Sequence, residues 1–309
     1  MVGSGHLHYH EFKRLLDDNP YITCVLFENR GEMFLNPELL ALIEYAYQKR
    51  VPVYCKSGAN LNKAEEQVLE GLVKYRFRSL VCSIDGATAD TYKMYRVGGD
   101  FNRVMEHIRR INHYKQIYNS PYPKLTWQFV VFGHNEHELP LARKQAAELG
   151  MDFLPKMSWD SNYSPIRNRE FVRAQTGWPC VNREEYEKIT SVNYMRQICY
   201  SLWQYPQINW DGKILGCCWN SWAEFGKNAF VDGYLAAVNT EKISQARSML
   251  QGRIPHQNDL PCSSCALYED MRDSGKYLTK DEIYGKTVCR TAQFLYRFSG
   301  LRRLRKALT

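Results

Sequence analysis

Cys262 and Cys265 are separated by two residues, a spacing that lets both sulfurs face one metal centre. Cys199 and Cys217 flank Gly212, which lies thirteen positions after the first and five before the second. A glycine turn there folds the chain back and brings those two thiols together. Four thiolates from two clamps make a closed site. A structural zinc and an iron–sulfur cluster compete for it, and ligand type alone does not separate them. Four unrelated buried cysteines are the plain alternative. Cys218 adjoins Cys217 and could replace it. Cys24, Cys55 and Cys82 lie in or at the end of apolar runs and read as core, while Cys180 and Cys289 have no assignment. Met1 to Glu11 has no apolar segment of the secretory kind, so a reducing, cytoplasmic setting is expected. Spaced thiols there point to metal or catalysis before disulfides.

The elements that must position such groups alternate in type over residues 21–156. Strand-like runs occur at Ile22–Phe27, Val51–Tyr54, Leu80–Ile84, Leu125–Phe132 and Met151–Leu154. Helical stripes fall between them: Leu39, Ile43 and Ala46 after an Asn36-Pro37 start, then Ala64, Val68 and Leu72. The next is Phe101, Val104, Ile108 and Ile111 behind an Asp100 cap, and the last is Ala142, Ala146 and Leu149 before Gly150. Five strands with interleaved helices predict a parallel sheet with right-handed crossovers. A full or partial (β/α) barrel and an open doubly wound sheet both fit, and both bind ligands at the carboxyl ends of the strands. Polar groups and glycines collect there: Arg30-Gly31-Glu32, Lys56-Ser57-Gly58, Ser83-Ile84-Asp85-Gly86, Gln128 with Gly133-His134-Asn135, and Lys156 with Asp160. Turns use the same residue types without any ligand.

The pattern changes near residue 157. Six of the seven tryptophans fall between Trp159 and Trp222, lining a pocket or filling a small core. Gln207–Trp210, Asp211-Gly212 and Lys213–Cys217 predict a hairpin with a two-residue type I′ turn. The 309-residue chain has a net charge of +8, and the segment from Lys286 onward holds seven Lys/Arg and no acid. The body is therefore nearly neutral, which argues against a whole-protein nucleic-acid binder. Leu295, Phe298, Leu301, Leu304 and Leu308 share one face of a basic terminal helix, suited to an anionic partner or a membrane surface.

Taken together, these residues resemble the radical S-adenosylmethionine (radical SAM) family, in the branch with a C-terminal SPASM or Twitch extension. Ser83-Ile84-Asp85-Gly86-Ala87-Thr88 and Tyr95–Phe101 are similar to its fourth-strand segment, and Gly31-Glu32-Met33-Phe34-Leu35-Asn36-Pro37 to its Gly-Glu-Pro-Leu-Leu-Asn-Pro segment. Cys199-x12-Gly212-x4-Cys217 and Cys262-x2-Cys265 fit the SPASM opening and closure. The match runs from about residue 10 to 270. The resemblance implies an α/β fold: a partial (β/α)6 barrel lacking its first strand over residues 1–175, a small cysteine-rich SPASM/Twitch domain over 176–275, and a basic tail over 276–309. It implies that Gly31 and Glu32 hold the methionyl amine, that Ser83 and Asp85 face the ribose, and that Arg96 meets the carboxylate, as an ammonium wants acceptors and a carboxylate wants a guanidinium. Cys199, Cys217, Cys262 and Cys265 would bind one auxiliary [4Fe-4S] cluster, since Met271 stands where longer relatives place a further cysteine.

The family's Cys-x3-Cys-x2-Cys loop is absent from the sequence. The expectation is a chain recorded without that loop and inactive as given. Its natural form would abstract hydrogen from a sugar, aminocyclitol or peptide, with flavodoxin or ferredoxin as reductant and no nucleic-acid partner. Lys156, Asp160 and Arg167 are candidates for acid–base work by position only. The alternative is a non-catalytic binding or electron-transfer module that keeps one iron–sulfur or zinc site. A third option, a zinc amidohydrolase-like site, needs His6, His8 and His10 on one face of a strand, with His134 or His137.

Overall fold

The computed structural model describes residues 2–27 and 31–284. Arg30, Cys289 and the basic tail from Lys286 lie outside the described residues. By its internal contacts the chain divides into two units, one of residues 26–47 and 52–194, the other of 1–25, 48–51 and 195–309. Boundaries at 175 and 275 follow motif content, whereas this division falls after Tyr194.

The first unit is built on a five-stranded sheet in the order β1 (Val25–Leu26), β2 (Val53–Ala59), β3 (Ser79–Ser83), β4 (Lys124–Val131), β5 (Asp152–Met157). The pairs β2–β3, β3–β4 and β4–β5 are parallel. Strand order follows chain order without a reversal. This excludes the doubly wound alternative, whose order turns back at a switch point. The connecting helices bury the expected stripes. Phe101, Val104, Ile108 and Ile111 all face inward on the helix Phe101–Ile117, and the Asp100 carboxylate accepts the Arg103 N–H at 3.1 Å as its cap. β4 is covered on both faces, with Trp127 and Phe129 buried on one and Gln128 and Val130 on the other, as the centre of a parallel sheet should be.

Two strand ends differ from the sequence pattern. β2 continues to Ala59, so Lys56, Ser57 and Gly58 sit in the strand and not in the loop after it. The ladder slips between Cys55 and Ala59, and Gly58 takes φ +111° there. β5 runs to Met157 and carries Lys156 within it.

The second unit holds the hairpin β6 (Gln207–Ile208) and β7 (Ile214–Gly216). Its turn is a three-residue loop. Asn209 N–H donates to Lys213 O at 2.8 Å and Gly212 N–H to Asn209 O at 3.0 Å, with φ +85° at Gly212. A two-residue type I′ turn needs left-handed backbone at both central residues, and only the glycine adopts it. Helices Glu241–Leu250 and Ala266–Ser274 pack Ile243, Ala246, Leu250, Leu267, Tyr268 and Met271 into one core with Leu202, Ile214 and Phe225. No helix among the described residues is long and apolar enough to cross a membrane.

Candidate functional site

The chemistry-bearing residues of the first unit gather at the carboxyl ends of its strands. Glu32 opens a short turn after β1, and its carboxylate accepts the N–H of Phe34 at 3.2 Å and of Asn60, just past β2, at 2.7 Å. Burial pushes its pKa up, while these N–H groups and the field of Arg96 pull it down; burial wins. Asn60 Oδ1 in turn accepts from Asn62 N and Nδ2, at 3.1 and 2.8 Å. Asn62 Nδ2 also donates to Tyr92 OH at 2.8 Å, and Asn62 Oδ1 accepts from Asp100 N at 2.7 Å. Gly31 is exposed, with open space where a Cβ would stand.

At the ends of β3 and β4, Ser83 and Gln128 are register partners, and both are buried. A Cβ at Gly58 would collide with Ser83 Oγ and crowd the Gln128 amide, so three strands meet at one small polar cradle. Gln128 Oε1 is buried there without a hydrogen-bond partner among the described residues.

Asp85 has no exposed surface. One carboxylate oxygen accepts from Val130 N at 2.7 Å and the other from Arg96 Nε at 2.6 Å. Desolvation raises its pKa against the pull of Arg96 and Val130. Both Asp85 oxygens are thus engaged within the protein, one of them holding Arg96, and the side chain has no surface of its own. Arg96 keeps both Nη groups without a hydrogen bond among the described residues, and its side chain is 26% exposed.

Several polar residues that hold this rim carry no local sequence signal. Asn135 Nδ2 donates to Asp85 O and Val130 O at 3.0 and 2.9 Å. Glu138 accepts from Ala87 N at 2.6 Å and Thr88 Oγ1 at 2.7 Å, and Glu136 from the N–H groups of Arg167 and Asn168 at 2.9 and 2.8 Å. An acid spaced after Asn135 on a β-to-helix turn is the only hint of them.

Lys156 lies in β5, and Asp160 and Arg167 in the segment after it. Arg167 is held through its backbone, and Asp160 is exposed and accepts from Asn162 N at 2.9 Å. The histidines are not on a strand. His8 precedes the helix Tyr9–Asp18 and His10 lies in its first turn, their rings stacked at 5.7 Å. His134 belongs to the other unit, with Nδ1 hydrogen-bonded to Ser164 Oγ at 2.9 Å.

In the second unit the four cysteines share one core. Cys199 and Cys265 are buried, Cys217 and Cys262 half-buried, and all four are free thiols. Every pair among them interacts electrostatically: Cys199 with the other three, Cys217 with Cys265, and Cys262 with Cys217 and Cys265. Burial, and then their neighbours, raise the thiol pKa values, that of Cys217 to about 11. Against burial, the backbone N–H groups of Asn220 and Trp219 near Cys217, and of Leu267 and Tyr268 near Cys265, pull the thiol pKa values down. Such donors favour a thiolate and tune a bound metal centre. The Asn220 side chain locks the loop by donating to Leu215 O at 2.8 Å and Ala223 O at 2.7 Å, and Trp222 Nε1 donates to Pro261 O at 3.0 Å. No group of three or more His, Cys, Asp or Glu is arranged around a single ion among the described residues. Cys218 is exposed, and Met271 is packed in the core.

No family model matches the chain, and neither does any curated protein. Among solved structures, the fold is similar to SuiB of Streptococcus suis, both in a crystal structure with S-adenosylmethionine bound and in another of the protein, each at 14% identity with a TM-score of 0.56. The alignment covers 84% of this chain and 64% of SuiB, so the chain spans about two thirds of its length at most. At that identity the likeness is one of fold.

Proposed function

We propose that the first unit is an S-adenosylmethionine site of the radical SAM type on a partial (β/α) barrel, and that the second carries one auxiliary [4Fe-4S] cluster. The observation that carries this reading is the strand-end constellation of Gly31, Glu32, Ser83, Gln128 and Arg96, on a fold like that of a protein crystallised with the same cofactor. In it, the exposed Nη groups of Arg96 take the methionyl carboxylate, aimed by Asp85. The Gly31–Glu32 turn supplies acceptors for the amine, and Ser83 with the unpartnered oxygen of Gln128 offers acceptors to the ribose hydroxyls.

The four cysteines fit an iron–sulfur group by donor chemistry, with backbone N–H groups already near two sulfurs. Such a cluster supplies one-electron transfer or a ligation point for substrate. What is proposed for these residues is binding of the cofactor, not its cleavage. A sugar, aminocyclitol or peptide substrate, a flavodoxin or ferredoxin partner and a cytoplasmic setting belong to the same proposal.

Calorimetric titration of S-adenosylmethionine into the reconstituted protein tests the first unit. Binding is expected, and Arg96→Gln weakens it by about 1.5–3 kcal/mol, the loss of a charge-assisted contact. A folded wild type that does not bind overturns the assignment. The alternative module reading, an electron-transfer or binding protein keeping the four-cysteine site, is favoured by the N–H groups at Cys217 and Cys265. It predicts a brown, redox-active protein with no affinity for S-adenosylmethionine.

A further inference from the structure

Ser164 lies in the segment that follows β5, with its backbone in the left-handed region at φ +48°. A Cβ crowds the carbonyl oxygen there, so a residue other than glycine keeps this conformation only where its neighbours hold it. Three contacts from just past β4 do so. Gly133 N–H donates to Ser164 O at 2.7 Å, His134 N–H donates to Ser164 Oγ at 3.0 Å, and His134 Nδ1 meets the same hydroxyl at 2.9 Å. Gly133 permits the approach, since a Cβ on it would stand 2.0 Å from Pro165 O. The imidazole is stacked on Phe132 at 5.1 Å and meets the edge of Tyr163 at 6.1 Å. Its Nε2 is buried with no hydrogen-bond partner among the described residues.

The rest of the segment is fastened at its ends and lightly held between them. Glu136 accepts from the N–H groups of Arg167 and Asn168 at 2.9 and 2.8 Å, and β5 fixes the start at Met157. Between these points Ser161 Oγ donates to Glu184 at 2.9 Å, and Tyr163 OH donates to Met94 O at 3.3 Å. A cavity of about 80 Å3 runs along the segment, lined by its Ser161, Tyr163 and Pro165 and by Val131 and Val181 of its neighbours. Part of its length therefore has no packed partner. Tyr163 rests on Tyr95 at 5.6 Å, and the Tyr95 ring lies 5.3 Å from the Arg96 guanidinium. Burial lowers the pKa of His134 below its ordinary 6.5; Asp85 and Glu138 pull it up, Arg167 and His137 push it down, and burial outweighs the acids.

We propose that residues 158–168 form a lid at the strand-end rim, that His134 and Ser164 are its catch, and that a proton on His134 releases it. Protonation makes both ring nitrogens donors. The Ser164 hydroxyl then loses Nδ1 as an acceptor, and Nε2 carries a charged N–H where nothing accepts it among the described residues. The nearby acids offer the ring no hydrogen bond, because Asp85 is committed to Arg96 and Val130, and Glu138 to Ala87 and Thr88. The Tyr163 hydroxyl is committed to Met94 O. A desolvated charge without a partner is relieved by turning the ring out to water, and that frees Ser164 to leave its strained conformation. The closed lid is favoured while the ring is neutral, above about pH 6.5, and the preference is lost as pH falls further. Opening withdraws Tyr163 from Tyr95 and widens the approach to Arg96. The catch is independent of the cofactor assignment, since neither His134 nor Ser164 belongs to that constellation.

Native-state hydrogen exchange on the full chain tests this, at about pH 7.5, 6.5 and 5.5 and corrected for the intrinsic pH dependence of exchange. The Gly133 and His134 amides report the catch, and the Arg167 and Asn168 amides, held by Glu136, report the fixed end. From the highest to the lowest pH, protection at Gly133 and His134 is expected to fall about tenfold while Arg167 and Asn168 keep theirs. His134→Gln, which takes no proton, should remove the pH dependence. Ser164→Ala should lower protection at Gly133 at every pH. If His134→Gln does not fold, Ser164→Ala decides alone, since without the hydroxyl the Gly133 amide should no longer respond to pH. The proposal is overturned if wild-type protection is independent of pH, if Arg167 and Asn168 lose protection in step with Gly133, or if the deciding variant keeps the wild-type response. A histidine that merely packs against Phe132 and Tyr163 gives the first of these outcomes.

Discussion

At the strand ends of the first unit, polar groups hold one another. Glu32, Asn60, Asn62, Asp85, Asn135 and Glu138 form short chains of hydrogen bonds that tie the strand ends to the loops after them. In the cysteine unit, by contrast, four chemically similar groups sit among apolar side chains, and the loops around them are fixed by Asn220 and Trp222. The first arrangement satisfies these six side chains within the polypeptide, leaving Gln128 Oε1 and the Arg96 Nη groups without partners among the described residues. The second carries four desolvated thiols, and in the proposed reading a bound metal group relieves their repulsion on ionisation. The rim should therefore survive without its ligand, while the cysteine unit should depend on one.

The largest effect that could break this contrast is metal removal. Chelation, or Cys262→Ala, should abolish iron retention and cooperative melting of the cysteine unit, whereas Cys218→Ala should leave both intact. Iron analysis and hydrogen exchange in each unit check this. Equal loss of protection in both units would refute the contrast. Next in size is Asp85→Ala, which strips a fully buried carboxylate from Arg96 and the Val130 N–H. A loss of about 3 kcal/mol in urea denaturation is expected, with Asp85→Asn costing less because it keeps an acceptor for Val130.

The smallest effect sharpens the picture in the second unit. Burial acts to raise the pKa of Glu282, but the Arg196 guanidinium and the Thr279 N–H and hydroxyl outweigh it and hold the value down to about 2, from an ordinary 4.5. A depressed carboxylate contributes stability above its unfolded pKa and loses it as pH falls. The unit should weaken between about pH 4.5 and pH 2, and Glu282→Gln should flatten that limb of the stability curve. Because the group is partly exposed, the change is small and screened by salt.

Much of this was legible in the residues. The Phe101–Ile111 stripe, its Asp100 cap and the parallel sheet follow from spacing, because periodicity and capping are local. The two cysteine pairs are local as well. Their joining in one core depends on how the hairpin and the helix Ala266–Ser274 fold together, and spacing offered it only beside the alternative of four unrelated cysteines. Asn62 and Glu138 left little trace and Asn135 showed only as one polar residue of the rim, since an Asn or Glu in a loop looks the same whether it faces water or closes a backbone gap.

The seven-residue helix Ala89–Tyr95 hangs between two anchors: Glu138 grips Ala87 and Thr88 before it, and Asp85 grips Arg96 after it. Adding or deleting one residue would turn the far anchor through about 100°. Its length is therefore frozen even where outward-facing positions such as Asp90 and Lys93 can drift freely, and gaps in any future alignment of relatives should avoid this stretch.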